Sequence, residues 1–163
     1  MDLKFNCLKL AKTPYLKLAK TLDDQELLSK IKTLVADERR VGIEILSNLR
    51  EIELRRLFAA RGFSSLHEYA TKELGYSDGA AFRRISAMRL IADLPEAETK
   101  IAQGELSLTV ASKLQGFFKS VQKNEAQVQR VYTPEQKTVL LNELVGKSWQ
   151  DYLTRSNTCC FRN

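Results

Sequence analysis

The chain has 163 residues, with 26 Lys and Arg against 20 Asp and Glu, and a formal charge of +6. Its longest stretch without a charged residue is Leu106–Ser112, which excludes a transmembrane helix of ~20 apolar residues. Seven glycines and three prolines are too few for a turn-rich all-β protein, and a single histidine, His67, excludes any zinc site that needs two.

The charge is segmented. Residues 1–20 carry +4, 21–54 carry −3, 55–92 carry +4, 93–118 carry −2 and 119–163 carry +3. A basic centre and basic ends therefore alternate with acidic segments. That is compatible with nucleic acid, although a solvated helical surface would account for the charge equally well. Cys7, Cys159 and Cys160 are odd in number and two are adjacent. They make no disulfide framework, and a reducing, cytoplasmic setting is expected.

In chain order, residues 1–22 read as a flexible basic arm. Lysines at 4, 9, 12, 17 and 20 prevent a signal-peptide apolar core, and Pro14 interrupts any helix that would lie on a membrane. Asp23 with Glu26 predicts a capped helix start. Leu27, Ile31, Leu34, Val41, Ile45, Leu49 and Ile52 then recur at helical spacing, interrupted by Glu38, and predict an amphipathic helix to about Ala60. A helix so long needs a partner: later helices of the same chain, or a second copy in a homodimer through the 27–52 stretch.

Gly62 predicts the end of that helix. Ser65 with Glu68 opens a short helix to about Leu74. Gly75, Tyr76 and Ser77 form a turn, and a second helix runs from Asp78 to about Ala92. Pro95 starts a further helix that Gly104 closes, and Ser107 starts one through Phe118. Residues 119–132 are polar and weakly patterned and read as a linker or a loose helix. Thr133, Pro134 and Gln136 start a last helix to about Val145, before an irregular tail in a 133–163 segment. No segment alternates as a strand does, so the expected fold class is all-α: a long N-terminal helix, a central helix-turn-helix and further short helices within a 23–118 domain.

The 63–91 stretch has the layout of a helix-turn-helix, with glycine for the sharp turn. On a helical wheel Ala81, Ile85, Met88 and Ala92 share one face, expected to be buried. Gly79, Arg83, Ser86 and Leu90 lie roughly opposite. In such motifs the second helix enters the major groove. Arg83 and Ser86 are the candidate base or phosphate contacts, arginine because its fork matches guanine O6 and N7. Ser77 at the helix N-terminus suits a phosphate, and Lys72, Arg84 and Arg89 suit positioning phosphate contacts. Any helical hairpin with a glycine turn shares this pattern.

Eight phrases occur in order between Asp24 and Phe118: Glu26-Leu-Leu, Asp37-Glu-Arg-Arg, Leu49-Arg-Glu-Ile-Glu, Gly62-Phe-Ser-Ser-Leu-His-Glu-Tyr, Glu73-Leu-Gly-Tyr-Ser, Ala80-Ala-Phe-Arg-Arg-Ile, Ala87-Met-Arg-Leu and Gly104-Glu-Leu-Ser-Leu. With them the region resembles the N-terminal helical part of a bacterial HNH endonuclease family. The resemblance implies DNA association ahead of a C-terminal nuclease module. Such a module needs a histidine general base and further metal ligands, yet no histidine follows His67 and there is no Cys-x-x-Cys. The pattern breaks after Gly146-Lys-Ser, as in either a frameshifted remnant or a natural short form. The expectation is a DNA-binding protein that is not an enzyme, with no cofactor and no metal; the alternatives are a helical protein–protein interaction or dimerisation module, or a truncated nuclease remnant.

Gly146-Lys147-Ser148 ends like a phosphate-binding loop, but Leu141 stands where that motif requires glycine, so no nucleotide site is expected. His67 has no triad partners in the sequence. Cys159-Cys160 would bind metal only with ligands from elsewhere. Phe117-Phe118 reads as core.

Overall fold

The computed structural model describes residues 19–123, 132–147 and 149–150. The helices delimited there are α1 (Asp24–Leu54), α2 (Leu57–Ala60), α3 (Leu66–Lys72), α4 (Asp78–Asp93), α5 (Glu96–Gln103), α6 (Leu108–Lys123) and α7 (Pro134–Glu143). No strand occurs among the described residues; the fold is all-α, with the long helix α1 preceded by helical residues 19–20, which the expected arm had included. The cysteines, most of the expected arm and linker, and the tail beyond residue 150 lie outside the described residues.

The helix starts follow local chemistry. The Asp23 carboxylate accepts the Glu26 N–H at 2.8 Å, and the Glu26 carboxylate accepts the Asp23 N–H at 3.3 Å. This satisfies two of the four amides that a helix start leaves without partners. Thr133 and Gln136 form the same reciprocal box at α7. Ser65 caps α3 by accepting the Glu68 N–H at 3.1 Å, but the Glu68 carboxylate goes instead to Ser64, at 2.8 Å from its N–H and 2.6 Å from its hydroxyl.

The chain divides into two compact units after Glu38, inside α1. In the first unit the α1 side chains Leu27, Leu28, Ile31 and Leu34 are exposed. In the second, α1 contributes buried Leu46 and Leu49 to a core shared with α3, α4, α5, α6 and α7. α4 is central to this unit: it packs most extensively on α6, then on α3 and α5. Ala70 of α3 and Ala81 of α4 are fully buried, and such small residues let helices approach closely. The last helix belongs to the same core through Leu140 and Leu141, with Leu144 just after it. The Gly146 N–H ties that end to the Glu105 carbonyl at 3.0 Å. Gly104 suits this place because its φ of 80° is left-handed; a Cβ there would also require the Arg39 guanidinium to shift, whose Nη1 donates to the Gln103 carbonyl at 3.2 Å.

Two element boundaries differ from the sequence expectation. α6 continues past Phe118 to Lys123, into the polar stretch read as a linker or a loose helix. The first helix does not run to Ala60: it stops at Leu54, and Arg56 turns the chain with φ 54° and ψ 33° before α2. Neither glycine nor proline marks that turn, so the sequence carried no breaker signal. A left-handed non-glycine residue costs roughly 1–2 kcal/mol. Arg56→Gly is therefore expected to raise stability by about 0.5–1 kcal/mol in urea unfolding, the relief being partly offset by glycine's larger unfolded-state entropy.

Candidate nucleic-acid interface

The helix-turn-helix layout is present as α3, a turn and α4. α3 closes across Gly75, whose φ is 71°; the Tyr76 N–H reaches back to the Ala70 carbonyl at 3.1 Å. His67 links the two helices, with Nε2 3.4 Å from the Asp78 carbonyl oxygen and 3.6 Å from its Oδ1. The single histidine thus stands at the joint between α3 and the start of α4.

α4 is covered on two faces rather than one. Ala81, Ile85 and Met88 form the expected buried face, and Met88 lines an apolar hollow with Ile43 and Leu46 of α1. The opposite side is covered as well. Ser86 is 7% exposed and Leu90 is 0% exposed. Both fall on the side of α4 that carries Asp93, whose carboxylate accepts from Gln115 Nε2 of α6 at 3.1 Å. The expectation that Ser86 contacts DNA is corrected accordingly: packing of α6 removes its hydroxyl from any groove. Leu90 likewise belongs to the core, while Ala92, expected inside, is exposed.

The remaining candidates fall into two groups. Lys72 Nζ sits 2.7 Å from Glu68 Oε1, a pair four residues apart on the exposed side of α3. Arg89 reaches from α4 to α1, its Nε donating to Glu53 Oε1 at 3.1 Å, and Glu53 also pairs with Arg50 at 3.4 Å. Arg89 therefore ties two helices together, and contacting a phosphate would break that tie. The other group is at the N-terminal end of α4. Ser77 is the N-cap residue, exposed, and its hydroxyl makes no capping hydrogen bond. The Arg83 guanidinium folds back toward that end, Nη1 lying 3.2 Å from where a Gly79 Cβ would be; among the described residues no ion pair engages it. The Arg84 guanidinium lies over the Tyr76 ring at 4.3 Å and donates to the Ala80 carbonyl at 3.3 Å, which holds its position without neutralising its charge.

Phe82 was missed from the sequence. It is 56% exposed in the second turn of α4, one turn after Asp78 and on neither covered face. The signal was available on the wheel, where position 82 falls between the two apolar sectors.

The Glu68 carboxyl is lowered from its ordinary 4.5 to about 2, first by the Lys72 ammonium and then by the Ser64 hydroxyl and N–H. The folded state thus keeps a carboxylate where the unfolded chain would take up a proton. The contribution of Glu68 to the α3 start is complete above about pH 4.5 and lost as pH falls toward 2. NMR titration of the Glu68 side-chain carboxyl is expected to give a midpoint well below the usual glutamate range, and Lys72→Ala should move it upward.

Among the described residues no group of three or more His, Cys, Asp and Glu side chains is placed to hold a metal ion, and no helix is long and apolar enough to cross a membrane. Comparison with family models, curated proteins and solved structures finds no match to this chain.

Proposed function

We propose that this protein associates with duplex DNA without cleaving it, and that it meets the duplex with the N-terminal end of α4. The observation that carries this reading is the accessible start of that helix. There, Arg83 without an ion pair among the described residues, the Ser77 hydroxyl without a capping hydrogen bond and a charged, ring-supported Arg84 occupy the turn and first two turns of a helix-turn-helix. With Ser86 covered by α6, the contact is end-on rather than along the helix. Arg83 is then the candidate for a base edge and Ser77 for a phosphate. Arg84 and Lys72 position the backbone, Lys72 by exchanging its exposed pair with Glu68 for a phosphate, since exposed pairs contribute little. The resemblance of Asp24–Phe118 to the helical part of HNH endonucleases supports the same reading. It is also the reason for proposing no catalysis: the histidines of the nuclease module have no counterpart here.

Two phosphate-directed cations, Arg84 and Lys72, imply a salt slope of about −1.8, hence an affinity loss of roughly 12-fold between about 50 and 200 mM salt. Fluorescence anisotropy with a labelled duplex measures this directly. Absence of binding at the lowest salt overturns the reading, and cleavage of plasmid by pure protein with Mg²⁺ or Mn²⁺ overturns its non-catalytic part.

A further inference from the structure

We propose that Phe82 gives the DNA contact of α4 a chemical preference: its ring covers the 5-methyl group of a pyrimidine in the major groove, next to the guanine taken by Arg83. This inference rests on the DNA-binding reading above and adds the base chemistry to it. Phe82 is 56% exposed, whereas Ser86, one turn further on the same side of α4, is already covered. The accessible sector on this side is thus confined to the first turn and a half. Asp78, Gly79, Phe82 and Arg83 share it, Phe82 lying four residues after Asp78 and Arg83 four after Gly79, the spacing at which side chains on a helix are neighbours.

Each residue of this sector narrows what it can meet. The Asp78 side chain is 90% exposed, and its carboxylate repels phosphates from the edge of the helix that carries the Phe82 ring. A duplex therefore turns its base edges, not its backbone, toward Phe82. A benzene ring makes no conventional hydrogen bond, and the apolar group in the major groove is the C5-methyl of thymine, which a methylated cytosine also carries. An amino group or ring nitrogen placed under the ring would instead lose water without gaining a partner. Gly79 leaves bare backbone beside Phe82: a Cβ there would meet only the Arg83 guanidinium among the described residues, so a base edge can approach the first turn closely. Phe82 and Arg83 are consecutive, which sets the methyl group and the guanine on the same or adjacent base pairs.

Fluorescence anisotropy of the full chain with short alternating duplexes tests this, because an alternating sequence sets a pyrimidine beside guanine in every register. Alternating guanine–thymine, paired with adenine–cytosine, is compared with its uracil counterpart. Alternating guanine–cytosine is compared with its 5-methylcytosine counterpart. Within each comparison the duplexes differ only in methyl groups. The methylated member is expected to bind about fourfold more tightly, the contribution of roughly one buried methyl group. A difference in the first comparison assigns thymine, and one in the second assigns methylated cytosine. Phe82→Ala should erase the difference while leaving the far-UV circular dichroism unchanged, because the ring is exposed; Phe82→Leu, still apolar, should retain part of it. Equal binding within both comparisons overturns the proposal and leaves DNA association standing, as does a methyl preference that survives Phe82→Ala. Affinity that falls in Phe82→Ala without any methyl preference in the wild type makes the ring a wedge between bases and also overturns the proposal. Absence of binding to every duplex removes the DNA reading itself, and this inference with it.

Discussion

Leu90→Ala is expected to destabilise the protein by about 3 kcal/mol, within the range of roughly 2–5 kcal/mol for large-to-small changes in a packed core. Leu90 has no exposed surface and sits on the side of α4 that α6 covers. Truncating it opens a cavity between two helices that cannot simply collapse onto each other. Phe82→Ala, eight residues earlier and largely exposed, should change stability by less than about 0.5 kcal/mol, as surface substitutions do. Urea unfolding of the two variants against the wild type checks the contrast. A loss below about 1 kcal/mol for Leu90→Ala would mean that the second covered face of α4 does not exist. It would also return Ser86 to the set of accessible residues.

The second large effect is on binding. Arg83→Ala with Arg84→Ala is expected to weaken duplex affinity by roughly tenfold or more, because a good arginine contact to a base edge discriminates by about 1–3 kcal/mol. The salt slope should fall by about one, for the phosphate-directed Arg84. The two residues separate in their effect on the fold. Arg83 makes no ion pair among the described residues, so Arg83→Ala alone should leave the unfolding midpoint in place. Arg84→Ala removes the guanidinium from the Tyr76 ring and should cost about 0.5–1 kcal/mol of stability. Anisotropy and urea unfolding on the single and double variants distinguish lost contacts from lost structure. Unchanged affinity in a folded double variant would remove the proposed surface.

Much of the architecture was legible because it is set locally. The Asp23–Glu26 and Thr133–Gln136 boxes bond within four residues, and Gly62, Gly75, Gly104 and Gly146 all stand at left-handed turns, so helix starts and stops could be read directly. What was not legible depends on residues far apart in the chain. Ser86 and Leu90 looked outward because a helical wheel cannot show that α6, more than twenty residues later, returns to cover them. The Arg89–Glu53 pair spans 36 residues and left no trace in the spacing, so Arg89 read as a free phosphate ligand. Lys72–Glu68, four apart on one helix, was within reach of a local reading. The break at Arg56 was missed because an ordinary residue, rather than glycine, adopts the left-handed conformation there.

The same contrast runs through the candidate interface. Residue types and local charge singled out a basic second helix, and its first two turns do present Arg83 and Ser77. Tertiary packing then narrowed the accessible surface from a whole face to one end. Whether that end meets DNA is tested most directly by adding a short duplex to ¹⁵N-labelled protein and following the backbone amides. The largest shifts are expected at residues 77–84, with those of Ser86 and Leu90 small. Shifts absent throughout, or confined to residues away from the turn and the start of α4, would contradict the account.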